Sequence, residues 1–240
     1  MTDVELATLL AKQAGALLLG LDRAELGLKI GAEGDRLANA MLVSALRRER
    51  PDDGLLSEEE QDNAQRLTQS RVWIVDPLDG TREYGENRSD WAVHVALAVD
   101  GVATVGAVAL PGQGVTLSSG APLALPPMQD PPRMLVSRTR PPREALAVAD
   151  MLGAELVAMG SAGAKAMAVV LGQAEIYLHN GGQYEWDNCA PAAVAAAHGL
   201  HVSRLDGSPL VYNQPNPYLP DLLICRQEWT GPVFAALAKL

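Results

Sequence analysis

The sequence has little cysteine, no long apolar run and a deficit of basic residues, and each shortage excludes a class of protein. Two thiols, Cys189 and Cys225, can form at most one bridge, which is no disulfide framework, and without histidine or cysteine at ligand spacing they make no zinc site. A reducing compartment follows. No apolar run reaches the ~18–20 residues of a membrane span, and the opening Thr2-Asp3-Val4-Glu5, followed by leucines at helical spacing, has neither the basic n-region nor the small-residue cleavage site of a signal peptide. The expectation is a cytoplasmic chain with no membrane partner. Basic residues number 19 against 29 acidic, for a net charge of −10, so a phosphate backbone would be repelled and a nucleic-acid partner is excluded. An anionic ligand would need the sign reversed locally. What is present in quantity is apolar: 48% of the 240 residues are hydrophobic, enough to close a substantial core, and the length fits one large domain or two small ones.

The first segment reads as a helix, because Thr2 and Glu5 form a capping-box pair and Leu6, Leu9, Leu10, Ala14, Leu17, Leu18 and Leu21 recur on one face. Asp35 reads as the N-cap of a second helix, with Leu37, Ala38, Met41, Leu42, Ala45 and Leu46 on one stripe and Pro51-Asp52-Asp53-Gly54 as its stop. These helices cover β material: Leu55-Leu56, Val72 to Val75, Ala92 to Val99 and Val102 to Leu110, the last two joined by Asp100-Gly101, a hairpin signal. Residues 119–133 hold five of the 16 prolines and no usable period, which puts a domain boundary there. Beyond it, apolar runs at 134–136, 156–158, 174–178, 200–203 and 222–225 alternate with helical patterns at 143–152, 162–171 and 187–198. The fold class expected is mixed α/β and α+β. An antiparallel sheet domain under helices, residues 1–125, is followed by a smaller α/β domain, residues 126–240, with a cleft between.

Chemistry concentrates in Trp73-Ile74-Val75-Asp76-Pro77-Leu78-Asp79-Gly80-Thr81. A buried strand ends at Asp76, Pro77 turns the chain out, and Asp79 follows with a glycine and a hydroxyl. Backbone N–H groups of Gly80 and Thr81 at the start of a turn or helix form an anion site. Carboxylates beside such a cradle repel an anion unless a cation lies between, and oxygen-only donors favour Mg²⁺. Taken alone, Asp76 and Asp79 read equally as a turn residue and a helix N-cap. Two further acidic ends shift that balance: Ser57-Glu58-Glu59-Glu60 after a short strand, and Glu185-Trp186-Asp187 at the start of a helix.

Ser57-Glu58-Glu59, Asp76 to Thr81 and Trp186-Asp187 resemble, in order and spacing, the three signature motifs of the inositol monophosphatase superfamily of Mg²⁺-dependent, lithium-sensitive phosphatases. The resemblance implies a layered αβαβα sandwich and two or three Mg²⁺ per site. Glu58, Asp76 and the Leu78 carbonyl would hold one ion, and Asp76, Asp79 and Asp187 a second. Asp35 would orient the Thr81 hydroxyl, and Thr81 would position the metal-bound water for in-line attack, with Glu58 also counted as catalytic. A homodimer is compatible with the family.

Within it, Gly160-Ser161-Ala162-Gly163-Ala164-Lys165, Ser137-Arg138-Thr139-Arg140 and Asp206 to Asn213 resemble segments of the bacterial bisphosphate nucleotidase (CysQ) branch, with the nearest overall likeness to its mycobacterial members. That branch hydrolyses 3′-phosphoadenosine 5′-phosphate, a by-product of sulfate assimilation. The implied substrate contacts are Asp79, Gly80, Thr81, Ser137, Arg138, Ser161, Lys165, His179 and Asp187, with Lys165 at a capped helix start offering a second phosphate site. A sugar phosphate such as inositol 1-phosphate or fructose 1,6-bisphosphate is the alternative substrate, and a metal-binding regulatory protein without catalysis is the alternative class. Departures lie at Ala32, at the glycine-rich 180–185 segment and at His179, where many relatives of this branch carry arginine. Trp91, His94 and Trp186 read as packing around the site, and Cys189 as a buried thiol.

Overall fold

The computed structural model describes residues 1–240. Helix α1 (Asp3–Leu19) leads through a short α2 (Arg23–Leu26) to α3 (Ile30–Glu49), followed by β1 (Gly54–Ser57), β2 (Arg71–Asp79), α4 (Thr81–Gly85), β3 (Ala92–Val99), β4 (Val102–Leu110) and β5 (Val115–Ser118). The chain continues through β6 (Arg133–Ser137), α5 (Arg143–Leu152), β7 (Glu155–Met159), α6 (Ala162–Val170), β8 (Ile176–Tyr184), α7 (Glu185–Ala197), β9 (His201–Ser203), β10 (Tyr218–Cys225) and α8 (Gln227–Leu237). One sheet has the order β1-β2-β3-β4-β5, the other β7-β6-β8-β10-β9.

Strand alternation stacks these elements into five layers. Trp73 and Val75 of β2 and Val93, Val95 and Leu97 of β3 pack on Leu6, Leu10, Leu18, Leu42 and Leu46 of α1 and α3. Their neighbours Val72, Ile74, Ala96 and Ala98 face the other way, onto Met167, Val169 and Val194 of α6 and α7, as the two-residue strand period requires. The second sheet meets that same central layer with Leu135, Tyr177, Leu222 and Ile224, and its outer face sets Met134, Val136, Ile176 and Leu223 against Val148 of α5 and Val233 of α8. Helices, sheet, helices, sheet, helices: this is the αβαβα sandwich expected. Leu42 is fully buried, and its truncation to alanine would cost about 2–5 kcal/mol.

Three expectations need correction. The first sheet is mixed, because β1 runs parallel to β2, with Ser57 opposite Val75. A two-residue hairpin cannot make that pairing; the chain instead crosses over through residues 58–70. The parallel arrangement sets the C-terminal ends of both strands, and the acids that follow them, side by side. Asp35 is not an N-cap. Helix α3 starts at Ile30, so Asp35 lies in its second turn with the side chain buried. Gly31 and Gly34, inside that helix, are there for close packing: a Cβ on Gly31 would come within 2.9 Å of Thr81 Cγ2, and one on Gly34 within 2.9 Å of Leu18 Cδ2. Leu9, placed on the buried face of α1 by its spacing, is exposed.

Candidate active site

Asp76, Leu78 and Asp79 lie at the C-terminal end of β2, where its pairing with β3 slips. Asp76 faces His94, but Asp79 faces Ala92, so β2 carries one extra residue there. Pro77, which has no N–H for the ladder, fits within this bulge. The Leu78 N–H donates to Asp76 Oδ1 (3.0 Å). Gly80 follows at φ +90°, a conformation that strains any side chain, and a Cβ there would also press on Ser161 Cβ at 3.0 Å. Thr81 opens α4. Because β1 is parallel to β2, the Glu58 N–H reaches the Val75 carbonyl (3.4 Å), which sets Glu58 beside Asp76. Asp187 arrives from the first turn of α7, its Oδ2 accepting the Tyr184 N–H (2.6 Å). Asp76, Asp79 and Asp187 each bring a carboxylate oxygen within 4.8 Å of the others.

Crowding carboxylates this closely raises their proton affinity. Asp76 is held well above the usual carboxylate range by burial, then by Glu58, Asp79 and Asp187. Burial and the Asp79 charge push Asp187 up to about 7. Glu58, exposed on one flank, is raised by desolvation of its carboxyl and by Asp79 and Glu59. Asp35 is pushed up to about 7 by burial and by Glu59 and Glu58, and its Oδ1 has no partner. Oxygen donors that repel one another in this way fit a hard divalent cation such as Mg²⁺.

Asp79 behaves differently. Burial opposes its charge, yet His94, the Ser161 hydroxyl and the Gly163 N–H outweigh it and hold the carboxyl at about 2. Asp79 Oδ2 accepts from Ser161 Oγ (2.6 Å) and the Gly163 N–H (2.6 Å), and Oδ1 from the Ala162 N–H (3.2 Å). The β2 carboxylate therefore caps the N-terminus of α6, where orphan donors and the helix dipole favour an anion. His94 Nε2 lies 3.2 Å from Asp79 Oδ2 but out of hydrogen-bond alignment. Its Nδ1 is 3.0 Å from the Trp186 carbonyl, which can only accept, so Nδ1 carries a hydrogen. Burial works against the imidazolium, but Asp79 prevails and the pKa is raised. Gly163 is indispensable here, since a Cβ would sit 2.0 Å from His94 Nε2.

Thr81 Oγ1 stands 3.4 Å from Asp35 Oδ2 and 3.1 Å from the Leu78 carbonyl. With one hydroxyl hydrogen, it donates to one of them at a time.

A cleft of about 690 Å³ opens here, walled by residues 79–83 on one side and by residues 137–140 and 160–162 on the other, with Lys165, His179 and Asp187 among its lining. A larger cavity, about 940 Å³, lies among Arg23, Arg88, Asp90 and Gln113. It touches none of the converging carboxylates, so chemistry and not volume selects the smaller space. Of the basic residues around the cleft, Arg138 is already paired: Nε with Glu83 Oε1 (2.7 Å) and Nη2 with Glu86 Oε2 (2.6 Å). Lys165 is buried, its Nζ donating to the Ser161 carbonyl (2.7 Å) and to that of Gly160, 5.4 Å from the centre of the Tyr177 ring. Burial lowers its pKa to about 8. Ser161 caps α6 through the Ala164 N–H (2.9 Å) while donating to Asp79. Ser137 Oγ accepts the Arg140 N–H (3.2 Å), and His179 is half-buried with Nε2 unpartnered.

Three residues contribute in ways the sequence did not assign to them. His94 reads as packing, yet it links the end of β2 at Asp79 to the first turn of α7 beside Asp187; its one signal is a lone histidine in the apolar run Ala92 to Leu97. Glu83 holds Arg138. Glu185 accepts the N–H groups of Asn213 and Gln214, each at 2.7 Å, and so fixes the start of α7.

A model of the inositol monophosphatase family matches residues 11–125 and 127–236. A 3′-phosphoadenosine 5′-phosphate phosphatase of Mycobacterium leprae (strain TN) is 51% identical, the match covering 95% of this chain and 90% of that protein. The 3′(2′),5′-bisphosphate nucleotidase CysQ of Escherichia coli (strain K12) is 32% identical over 77% of this chain and 80% of its own length. Among solved structures, CysQ from Bacteroides thetaiotaomicron superposes with a TM-score of 0.76 at 24% identity, covering 92% of this chain and 96% of that one, a likeness of fold.

Proposed function

The chain belongs to the inositol monophosphatase family and is a phosphatase, and we propose that it is a Mg²⁺-dependent 3′(2′),5′-bisphosphate nucleotidase that converts 3′-phosphoadenosine 5′-phosphate to AMP and phosphate. The observation that carries this reading is the lining of the cleft, in which Asp79 and Asp187 of the carboxylate cluster share one space with the basic side chains of Arg82, Arg138, Arg140, Lys165 and His179. A substrate with two phosphates on one ribose has a use for both kinds of group. Half-identity to relatives named for that substrate supports the same reading.

Glu58, Asp76, the Leu78 carbonyl, Asp79 and Asp187 would hold Mg²⁺, in the number of two or three ions expected for the family. Bound there, Mg²⁺ supplies charge neutralisation at the phosphate and acidifies water. The rest falls to the chain. Asp79 has one face occupied by α6, which keeps its carboxylate ionised and its position fixed for the cation. When Thr81 Oγ1 donates to Asp35 Oδ2, its lone pairs are free to accept a hydrogen from the attacking water, and the proton has a path through Thr81 to Asp35. The Gly80 and Thr81 N–H groups face the phosphate oxygens at the start of α4. Lithium inhibition, a place in sulfate assimilation and a cytoplasmic location belong to this proposal as expectations.

The test is kcat/KM with Mg²⁺ for 3′-phosphoadenosine 5′-phosphate, inositol 1-phosphate and fructose 1,6-bisphosphate. A preference of about tenfold or more for the nucleotide is expected. Preference for either sugar phosphate would overturn the substrate assignment, and no phosphate release from any of the three would overturn the enzymatic one.

A further inference from the structure

Resting on the metal-binding reading of the acidic cluster, we propose that Asn213 is a positioning residue for that cluster: with Arg66 and Glu185 it fastens the strand that delivers Glu58 to the helix that delivers Asp187. Asp206 to Asn213 stands out in the sequence, yet none of it lines the cleft. Residues 204–217 run from β9 to β10 without regular structure, so side chains must fix their path. Asn213 does so from the left-handed region, at φ +59°, a conformation that asparagine tolerates better than most residues.

Two buried ionic side chains grip this corner from opposite sides. On one side Arg66, 2% exposed, donates through Nη1 to Asn213 Oδ1 (2.8 Å) and through Nη2 to the Gln214 carbonyl (2.9 Å). Asn213 Nδ2 donates in return to the Arg66 carbonyl (3.1 Å). Asp62 orients the guanidinium, accepting from Nε at 2.7 Å and from Nη2 at 2.9 Å. Arg66 lies in a short 3₁₀ turn, Ala64–Thr68, that packs flat on β1: a Cβ on Gly54 would come within 3.3 Å of Arg66 Cα. Strand β1 is the sheet edge that ends at Ser57, next to Glu58. On the other side Glu185, 1% exposed, accepts the Asn213 N–H at Oε2 and the Gln214 N–H at Oε1, both at 2.7 Å. Its own N–H donates to the Pro217 carbonyl (2.8 Å). Asp187 follows two residues later.

No hydrogen bond joins residues 58–70 to α7 directly; the connection runs through Asn213 and Gln214. Ligands hold a cation tightly only when the elements that bear them are fixed relative to one another. Asn213 hydrogen-bonds to no member of the acidic cluster, so it acts through β1 and α7.

Mg²⁺ binding measured by titration calorimetry on wild type, Asn213→Gly, Arg66→Lys and Val233→Ala, each well below its melting temperature, tests the assignment. Glycine removes the side chain and is at ease at positive φ, and lysine keeps the cation beside Asp62 without the fork. Val233→Ala weakens the core on the outer face of the second sheet, away from this corner. Asn213→Gly should weaken Mg²⁺ binding about three- to thirtyfold, Arg66→Lys should shift it in the same direction, and Val233→Ala should change it by less than about twofold. At saturating Mg²⁺, kcat of Asn213→Gly should return to within about twofold of wild type, with KM for the nucleotide unchanged. If Asn213→Gly binds Mg²⁺ as wild type does, if Val233→Ala loses as much, or if saturating Mg²⁺ does not restore kcat, the assignment is overturned while the metal reading stands. Should Asn213→Gly fail to fold, Arg66→Lys decides in its place. If wild type binds no Mg²⁺, the metal reading fails and the inference fails with it.

Discussion

The acidic and the basic groups around the cleft differ in how their charges are already satisfied. At the acidic end Asp76, Asp187, Glu58 and Asp35 crowd together with raised proton affinity, and only Asp79 has its full complement of donors. Among the basic groups the reverse holds: Arg138 and Lys165 have partners within the protein, and Arg82 and Arg140 are left over. Like charges forced together in a low-dielectric setting store unfavourable energy that a cation releases. Cations that are already paired contribute shape and stability and add little attraction for a ligand. The acidic cluster thus fits a divalent cation, whereas few basic side chains of the cleft are left uncommitted.

The largest expected effect breaks the acidic end outright. Asp76→Asn should lower phosphate release by about a hundredfold or more, since Asp76 is the most buried of the carboxylates that would hold Mg²⁺ and the variant removes its charge from the set; wild-type turnover would remove Asp76 from the ligand set. Next in size is the brace between the two acidic loops. His94→Asn loses the contact with Asp79, and Mg²⁺ affinity measured by titration calorimetry should drop about ten- to a hundredfold, as for other groups that orient metal ligands. KM for the nucleotide at saturating Mg²⁺ should stay put. Unchanged Mg²⁺ affinity would make His94 mere packing.

Lys165→Met sharpens the contrast from the basic side. It leaves two carbonyls without their donor, so the melting temperature should fall by several degrees, corresponding to about 1–3 kcal/mol, and turnover should fall alike on nucleotide and inositol 1-phosphate. A loss confined to the nucleotide would show that Lys165 turns to the substrate. The smallest and most gradual effect is on pH. In the metal-free protein Asp35 and Asp187 titrate near 7, against an ordinary value of 3.8. The folded state binds more protons between those values, so stability present below the ordinary pKa is lost as pH rises through 7. Asp79, held near 2, titrates outside that window. Melting in EDTA should therefore decline by a few degrees from about pH 5.5 to about pH 8, and Mg²⁺ should restore more at the higher pH. A melting temperature that climbs across this range would contradict the charge pattern.

How much of this is legible in sequence depends on how local the cause is. The run from Asp76 to Thr81 announces itself because bulge, proline, left-handed glycine and helix start are consecutive, and its strand reads from the apolar residues before it. The parallel pairing that carries Glu58 to Asp76 leaves no mark in either strand, and neither does the burial of Asp35, which follows from where α3 begins. The basic end is less legible still. Arg138 and Lys165 look like free cations until Glu83, Glu86 and the Gly160 and Ser161 carbonyls are brought beside them by packing. Asp79 as the cap of a helix 83 positions later could not be read from spacing at all.

Crowded carboxylates with raised proton affinity destabilise the fold until a cation neutralises them. Thermal unfolding of metal-free wild type and Asp76→Asn tests this most directly, because asparagine keeps the oxygen that accepts the Leu78 N–H and removes only the charge. In EDTA at neutral pH, Asp76→Asn should melt several degrees above wild type, and the stabilisation that wild type gains from Mg²⁺ should be largely absent from the variant. A variant that melts below wild type in EDTA, or that gains as much from Mg²⁺, would contradict it.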